Sequence, residues 1–282
     1  MTDRIGYWVD LNRAYITYKN EYIESVWWLL KAMWDKKLLY LGHKVVPYCP
    51  RCGTPLSDHE VALGYEDTED PSVYVRFPLV DEDDTSLLVW TTTPWTLPGN
   101  VAVAAHPDVE YAVVTAEGLG TEKLILAKDL IEKTFGDRPY QILKTMKGKA
   151  LKGKKYAPLF TFLPVDKPAH YIVNADYVTT EDGTGLVHIA PAFGMEDMEV
   201  AKKYDLPLIL TIDDEGRFVK AVHPWAGVFV KEADPEITRN LHERGLLFNA
   251  GKMTHTYPFC WRCRTPLLYM ARPTWFIRTS VK

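Results

Sequence analysis

Cys49-Pro50-Arg51-Cys52-Gly53-Thr54-Pro55-Leu56 is nearly repeated, far along the chain, as Cys260-Trp261-Arg262-Cys263-Arg264-Thr265-Pro266-Leu267. Each octapeptide is a Cys-x-x-Cys knuckle with the same Thr-Pro-Leu exit, and together they use all 4 cysteines of the 282 residues. Two such pairs supply the ligand set of a closed tetrahedral zinc site. A structural Zn2+ on Cys49, Cys52, Cys260 and Cys263 would pinch together the ends of everything between them. The chain is expected to carry an inserted module on a stalk, and the module must hold the chemistry.

Hydrophobic content of 47% and charged content of 25% suit a globular chain of one large or two modest domains. No apolar run approaches the ~20 residues that span a bilayer. The start, Met1-Thr2-Asp3-Arg4-Ile5, lacks the basic-then-apolar form of a secretion signal. Cysteines confined to two knuckles suit a metal in a reducing compartment better than a disulfide scaffold. These features predict a cytoplasmic chain with no membrane partner. A net charge of −4 gives no general attraction for nucleic acid. Lys144, Lys147, Lys149, Lys152, Lys154 and Lys155 form a local basic strip, for which a solvated, mobile surface segment is the plainer reading than a phosphate-binding one.

Tyr22, Ile23, Val26, Trp27, Leu30, Met33 and Trp34 recur at helical spacing and predict a helix over 20–40, which Asn20 can cap. Strands are predicted at 73–77, 86–90, 101–104, 111–114, 171–173 and 186–189. Short helices are predicted at 127–135, 195–204 and 234–244, the last with Asp234 as cap and Pro235 in its first turn. Many short strands with few helices argue an α+β chain whose β-barrel-like domain is closed or strongly curled, with peripheral helices outside.

The densest chemical cluster runs from Trp90 through Thr91, Thr92, Thr93, Pro94 and Trp95 to Asn100. Hydroxyls at a strand end can donate to a carbonyl or phosphate, accept from an ammonium or fix a water, although threonine also simply suits strands. Tryptophans on both sides and the Pro-Trp exit build an aromatic wall beside them. A second cluster runs from Gly183 to Asp197. There a strand carrying His188 ends at Pro191, and Asp197 falls at the start of a helix, where its charged form is favoured. It could bind an ammonium group or be a plain capping residue. His188 can be a general base or a wall residue; a metal ligand is disfavoured because the cysteines complete a shell. No Gly-x-Ser-x-Gly elbow, phosphate loop or His-Glu-x-x-His helix is present.

Val46-Pro47-Tyr48-Cys49-Pro50-Arg51-Cys52, Trp90 to Asn100, Gly183 to Asp197, and Cys260 to Leu267 with Trp275-Phe276-Ile277 closely resemble the isoleucyl branch of the class I aminoacyl-tRNA synthetases. Thr-Thr-Thr-Pro-Trp-Thr-Leu-Pro, residues 91–98, looks isoleucyl, since the valyl and leucyl branches typically show Thr-Thr-Arg-Pro there. The family's His-x-Gly-His and Lys-Met-Ser-Lys-Ser signatures are missing, so the resemblance implies a fragment. It would comprise a catalytic (Rossmann) remnant at 1–47, the first knuckle and linker at 48–70, the editing domain at 71–250, and the second knuckle with a return strand at 251–282.

The resemblance further implies no aminoacylation by this chain alone, ATP being needed only in the full-length enzyme. It implies instead hydrolysis of valine mischarged on isoleucine tRNA, and of valyl-adenylate. Asp197 would hold the α-ammonium, while Thr91, Thr92 and Thr93 would position ester, terminal adenosine and water. His188 would narrow the pocket, Trp95, Ala190 and Phe193 would line it, and Asn100 would contact the nucleotide or support the loop. The implied partners are the acceptor end of isoleucine tRNA carrying valine and the rest of the catalytic domain, with the chain a monomer. The competing readings are a non-catalytic module that docks the tRNA acceptor end, a zinc hydrolase using His188, and a free-standing editing factor.

Overall fold

The computed structural model describes residues 1–280. Two compact units divide it: residues 1–43 with the segment from Pro273 onward, and Lys44–Arg272. The first unit holds helix α1 (Asn20–Asp35), whose expected apolar positions lie along it and of which none is buried. Asn20 is its first residue, and the helix lacks a side-chain cap. Trp34 meets Trp275 edge-on at 6.3 Å, and Tyr40 stacks on Phe276 at 5.4 Å. No helix among the described residues is long and apolar enough to cross a membrane.

Strand β1 (Leu39–Cys49) leads to the first knuckle, and β2 (Thr54–Pro55) leaves it antiparallel to β1. Helix α2 (Asp58–Ala62) follows, its first turn closed by a reciprocal Ser57–Glu60 capping box. Next come β3 (Tyr65–Pro78), β4 (Thr85–Thr91), β5 (Ala102–Ala105), β6 (Glu110–Ala116) and β7 (Lys123–Ala127). Helix α3 (Ile131–Phe135) precedes β8 (Tyr140–Lys147), β9 (Tyr171–Asn174) and β10 (Leu186–Ile189). Helices α4 (Met195–Tyr204) and α5 (Val230–Glu243), then β11 (Leu247–Pro258) and β12 (Leu268–Ile277), complete the order.

β3 and β11 form a long antiparallel ribbon, paired from Tyr65↔Pro258 at the knuckles to Val75↔Leu247 at its far end. At its base the Phe259 N–H donates to the Gly64 carbonyl at 2.7 Å. A Cβ on Gly64 would sit 1.9 Å from the Phe259 oxygen, so only glycine fits there.

The strands do not close into the expected barrel. Between the knuckles they form two open sheets, β11-β3-β4-β7-β6-β8 and β10-β5-β9. Pro94 and Pro191 lie just beyond the ends of β4 and β10, and proline brings no N–H to extend a ladder. Alternation places Val73, Val75, Leu87 and Val89 with Val103, Ile172 and Leu186 in the main core. Leu88, Leu124 and Leu126 turn the other way, onto Ile131 and Phe135 of α3. The second face of the small sheet, with Ala102, Ala104 and Val173, is covered by Val200 and Ala201 of α4.

Two local expectations change. α5 starts at Val230, four residues before Asp234, and Pro235 lies inside it. The reason is the apolar stripe Val230, Ala233, Ile237 and Leu241, fully buried at helical spacing, which offsets the hydrogen bond that proline forfeits. The lysine strip is partly built into structure. Lys144 and Lys147 lie on the exposed edge strand β8, Lys147 donates to the Asp108 carbonyl, Lys154 pairs with Glu82, and Lys152 sits over the Tyr204 ring.

Candidate functional site

The two knuckles meet as the repeat requires. The four cysteine sulfurs lie within 4.8 Å of one another, with Cys49–Cys263 at 3.4 Å, Cys52–Cys263 at 3.5 Å and Cys52–Cys260 at 4.0 Å. Sulfurs at ~2.3 Å from a tetrahedral ion would be ~3.8 Å apart, so the donor set fits such an ion in type, number and spacing. The fifth residue of each octapeptide, Gly53 and Arg264, takes a left-handed conformation, with φ of 66° and 58°. Each donates its N–H to the carbonyl of its leading cysteine, at 2.9 Å and 2.8 Å. Repeated sequence has become repeated backbone. Among the described residues the cysteines are the sole cluster of metal-ligating side chains.

Far from them in sequence, a cavity of about 260 Å³ opens between the end of β4 and the end of β10. It is lined by Thr91, Thr92, Thr93 and Thr96 from one side and by His188, Ala190, Phe193 and Asp197 from the other. Thr91 is buried at the strand end, and its hydroxyl accepts the Thr93 N–H at 3.1 Å and lies 3.2 Å from the Thr93 hydroxyl. Pro94 stops the strand, and a 3-10 turn, Pro94–Gly99, carries the chain away. Within that turn the Thr96 hydroxyl donates to the Thr93 carbonyl at 2.8 Å. The Thr92 hydroxyl meets no partner among the described residues, so it is the one left for a ligand or water.

Thr96 also reaches His188, whose Nε2 lies 3.1 Å from its oxygen. The Thr96 hydroxyl has one proton for the Thr93 carbonyl and this nitrogen, so which group donates here depends on the imidazole tautomer. Nδ1 is buried with no partner. Burial holds the imidazole down at about 4, so it is neutral near pH 7. The neutral, buried ring forms part of the cavity lining.

Asp197 is the third residue of α4, which has Gly194 as its cap position. It does not cap its own helix. One carboxylate oxygen accepts the Ala190 N–H at 2.8 Å, and the other lies 3.4 Å from the Tyr177 hydroxyl. Burial raises the carboxyl to about 6, partly opposed by these two donors. An incoming cation would relieve that cost.

The structure places one residue expected to line the cavity elsewhere. Trp95 packs beneath Phe193, edge-on at 5.0 Å, and does not border the cavity. Asn100 is buried, donating to the Ala102 carbonyl at 2.8 Å and accepting from the Tyr156 hydroxyl at 2.6 Å, so it braces the loop. Trp90, expected with Trp95 to wall the threonines, does border the cavity, whereas sequence reasoning assigned nothing to Thr96, Tyr177 or Val187, of which Thr96 and Val187 border the cavity and Tyr177 touches Asp197. Thr96, three residues after Thr93 in a turn, carried a local signal. Tyr177 carried none.

A family model described as tRNA synthetases class I (I, L, M and V) matches residues 1–281. The chain belongs to the class I aminoacyl-tRNA synthetases. It is 54% identical over 280 residues to an isoleucine–tRNA ligase of Clostridium novyi, covering 99% of this chain and 27% of that protein. It is 53% identical over 285 residues to the isoleucine–tRNA ligase of Thermus thermophilus, again covering 99% of the chain and 27% of the relative. The chain thus spans about a quarter of the length of the curated relatives it matches. Among solved structures, GlLeuRS-CP1 aligns with a TM-score of 0.50 at 14% identity, covering 64% of this synthetase chain and 99% of that one. The P.knowlesi cytosolic leucyl-tRNA synthetase editing domain gives 0.51 at 11% identity, covering 66% and 98%. At these identities the likeness is one of fold.

Proposed function

We propose that this segment is the proofreading hydrolase of an isoleucine–tRNA ligase, cleaving the ester of valine wrongly joined to isoleucine tRNA. The observation that carries the reading is that Asp197 and the Thr91–Thr93 corner border one small cavity. Isoleucine and valine differ by one methylene, worth only ~1–3 kcal/mol, a magnitude established on this enzyme family rather than obtained from this structure. A synthetic site therefore admits some valine, and a second, smaller site can remove it.

In this scheme the Asp197 carboxylate holds the substrate α-ammonium, and the Thr92 hydroxyl positions the ester or the attacking water. Thr91 and Thr93 fix the corner through their mutual hydrogen bonds. His188, neutral and held by Thr96, limits the cavity so that valine enters and the longer isoleucine clashes. Ala190 and Phe193 complete the wall, with Trp95 behind it and Asn100 bracing the loop. With no side-chain base beside the water, the neighbouring ribose hydroxyl of the tRNA assists it. Valyl-adenylate presents the same aminoacyl group to the same contacts.

The rest of the assignment follows from that reading. The partners are the valine-bearing acceptor end of isoleucine tRNA and the remainder of a Rossmann catalytic domain, into which residues 71–250 are inserted. ATP serves only activation in the whole, monomeric, cytoplasmic enzyme. Cys49, Cys52, Cys260 and Cys263 hold zinc, which when bound supplies a cross-link and, with four thiolates, no open position for water.

The deciding experiment is release of valine from valyl-tRNA made on isoleucine tRNA. The chain should accelerate it, and Asp197→Ala should lose the effect while remaining folded. A folded wild-type chain that binds the tRNA without turnover would leave only the docking module.

A further inference from the structure

The Pro94–Gly99 turn begins without a side-chain cap from its own preceding residue, Thr93. The first N–H groups of any helical turn need acceptors from outside. Here the acceptor comes from 139 residues away: the Trp95 N–H donates to an Asp234 carboxylate oxygen at 2.8 Å. Asp234 is only 4% exposed, on the buried stripe side of α5. Its surroundings are themselves an ionic cluster. Asp70, 8% exposed, pairs with Lys231 at 2.9 Å and with His255 at 2.8 Å.

A buried carboxylate is a costly way to fill a core. Burial raises Asp234 to about 7, with Lys231 pulling it down and Asp70 pushing it up. An apolar side chain would pack there at less cost, but would leave the Trp95 N–H without an acceptor. The residue after Trp95 is Thr96, which touches both the Thr93 carbonyl and the His188 ring. The contacts therefore run without a break from α5 to the cavity wall.

We propose that Asp234 is a positioning residue of the proofreading site, holding the Pro94–Gly99 turn through the Trp95 N–H so that Thr96 keeps the His188 ring at the cavity wall. The size limit of the cavity is then set from α5, by a residue that touches no substrate. This rests on the hydrolase reading above for its consequence, but not for its geometry.

The test compares the full chain with Asp234→Ala and Asp234→Asn by two independent measurements. Backbone amide exchange over 94–99 reports the turn itself. Hydrolysis of valyl- against isoleucyl-tRNA reports the size limit. In Asp234→Ala, exchange at the Trp95 and Thr96 amides should rise about tenfold or more, and the valyl over isoleucyl preference should fall about tenfold. Asp234→Asn keeps a carbonyl acceptor and should restore both. Unchanged exchange and preference in folded Asp234→Ala overturns the proposal, as does an asparagine variant as impaired as the alanine one. If Asp234→Ala does not fold, Asp234→Ser, whose hydroxyl is too short to span to Trp95, is read by the same outcomes. A wild-type chain that hydrolyses neither ester defeats the hydrolase reading, while amide exchange still judges Asp234.

Discussion

The Asp197 carboxylate accepts the backbone N–H of Ala190 at 2.8 Å, tying the first turn of α4 to the residue just beyond β10. One oxygen is thereby fixed by the main chain, and the other faces Tyr177 at 3.4 Å, a distance that leaves room for a stronger donor. Charge and geometry can be separated at this position. Asp197→Asn retains an acceptor for Ala190 but cannot pair with an ammonium. It is expected to fold with little change in Tm and to lose valyl-tRNA hydrolysis by a hundredfold or more. Near-normal hydrolysis by this variant would remove the carboxylate from substrate binding.

The pH dependence follows from the same group. Burial lifts Asp197 from the ordinary 3.8 to about 6. Between those values the folded state binds more protons than the unfolded one, so this residue makes stability fall as pH rises through that window. Its charged form, needed for the ammonium, exists mainly above about 6. A plot of kcat/KM, which reports the free protein, should fall roughly tenfold per unit below about 6. A profile flat down to pH 5 would contradict the role.

Gly194 offers a steric test beside the Asp197 carboxylate. Its backbone, at φ −131° and ψ 137°, is open to any residue. A Cβ there would lie 2.8 Å from the Asp197 Cγ and 2.9 Å from its Oδ2. Gly194→Ala should therefore fold and yet displace the carboxylate, an overpacking penalty of about 1–3 kcal/mol. Steady-state assays should show hydrolysis reduced roughly tenfold or more, mainly through KM. If KM and kcat both stay at wild-type values, the carboxylate has more freedom than the geometry indicates.

Removing the ring at position 188 should relax the size limit and leave chemistry in place. His188→Ala is expected to hydrolyse isoleucyl-tRNA at a rate approaching that for valyl-tRNA. Thr96→Val, which takes away the hydroxyl that steadies the ring, should shift selectivity in the same direction by a smaller factor. Retention of full discrimination by His188→Ala would mean that another residue sets the limit.

Metal content can be measured directly. One zinc per chain is expected by elemental analysis, and Cys52→Ser should weaken it. Chelation should lower Tm, with hydrolysis declining in step with structure. Activity that vanishes while circular dichroism and Tm are unchanged would point to a catalytic metal instead.

What could be read locally was read well. The knuckles match because thiol identity and x-x spacing are properties of a few adjacent residues. The Thr91–Pro94 stop and the Gly194 start of α4 are likewise local. Strand order is not, and the two open sheets replace a barrel because which strands lie at an edge is decided by tertiary contacts. Lys123–Ala127 forms β7, an apolar run that offered no alternation to separate strand from helix. Pro235 gave a misleading start for α5, where burial of Val230 and Ala233 outweighed the breaker. The site was half legible. Thr91, Thr92, Thr93, His188 and Asp197 share a cavity, but the direction in which Trp95 and Asn100 point depends on Phe193 and Tyr156, distant in sequence. Asp234 could not have been linked to Trp95 from the chain alone.

The sulfurs of Cys52 and Cys260 are brought together from 208 residues apart. Closing so large a loop costs more entropy than any contact inside it, and local contacts accumulate first. A newly synthesised chain therefore passes through an interval in which its cavity is built and its thiols are still unclasped. Oxidation within either Cys-x-x-Cys pair during that interval would remove the four-thiol donor set while sparing the residues that border the cavity. Oxidant damage to nascent chains should thus show first as lost metal binding in chains whose cavity is intact.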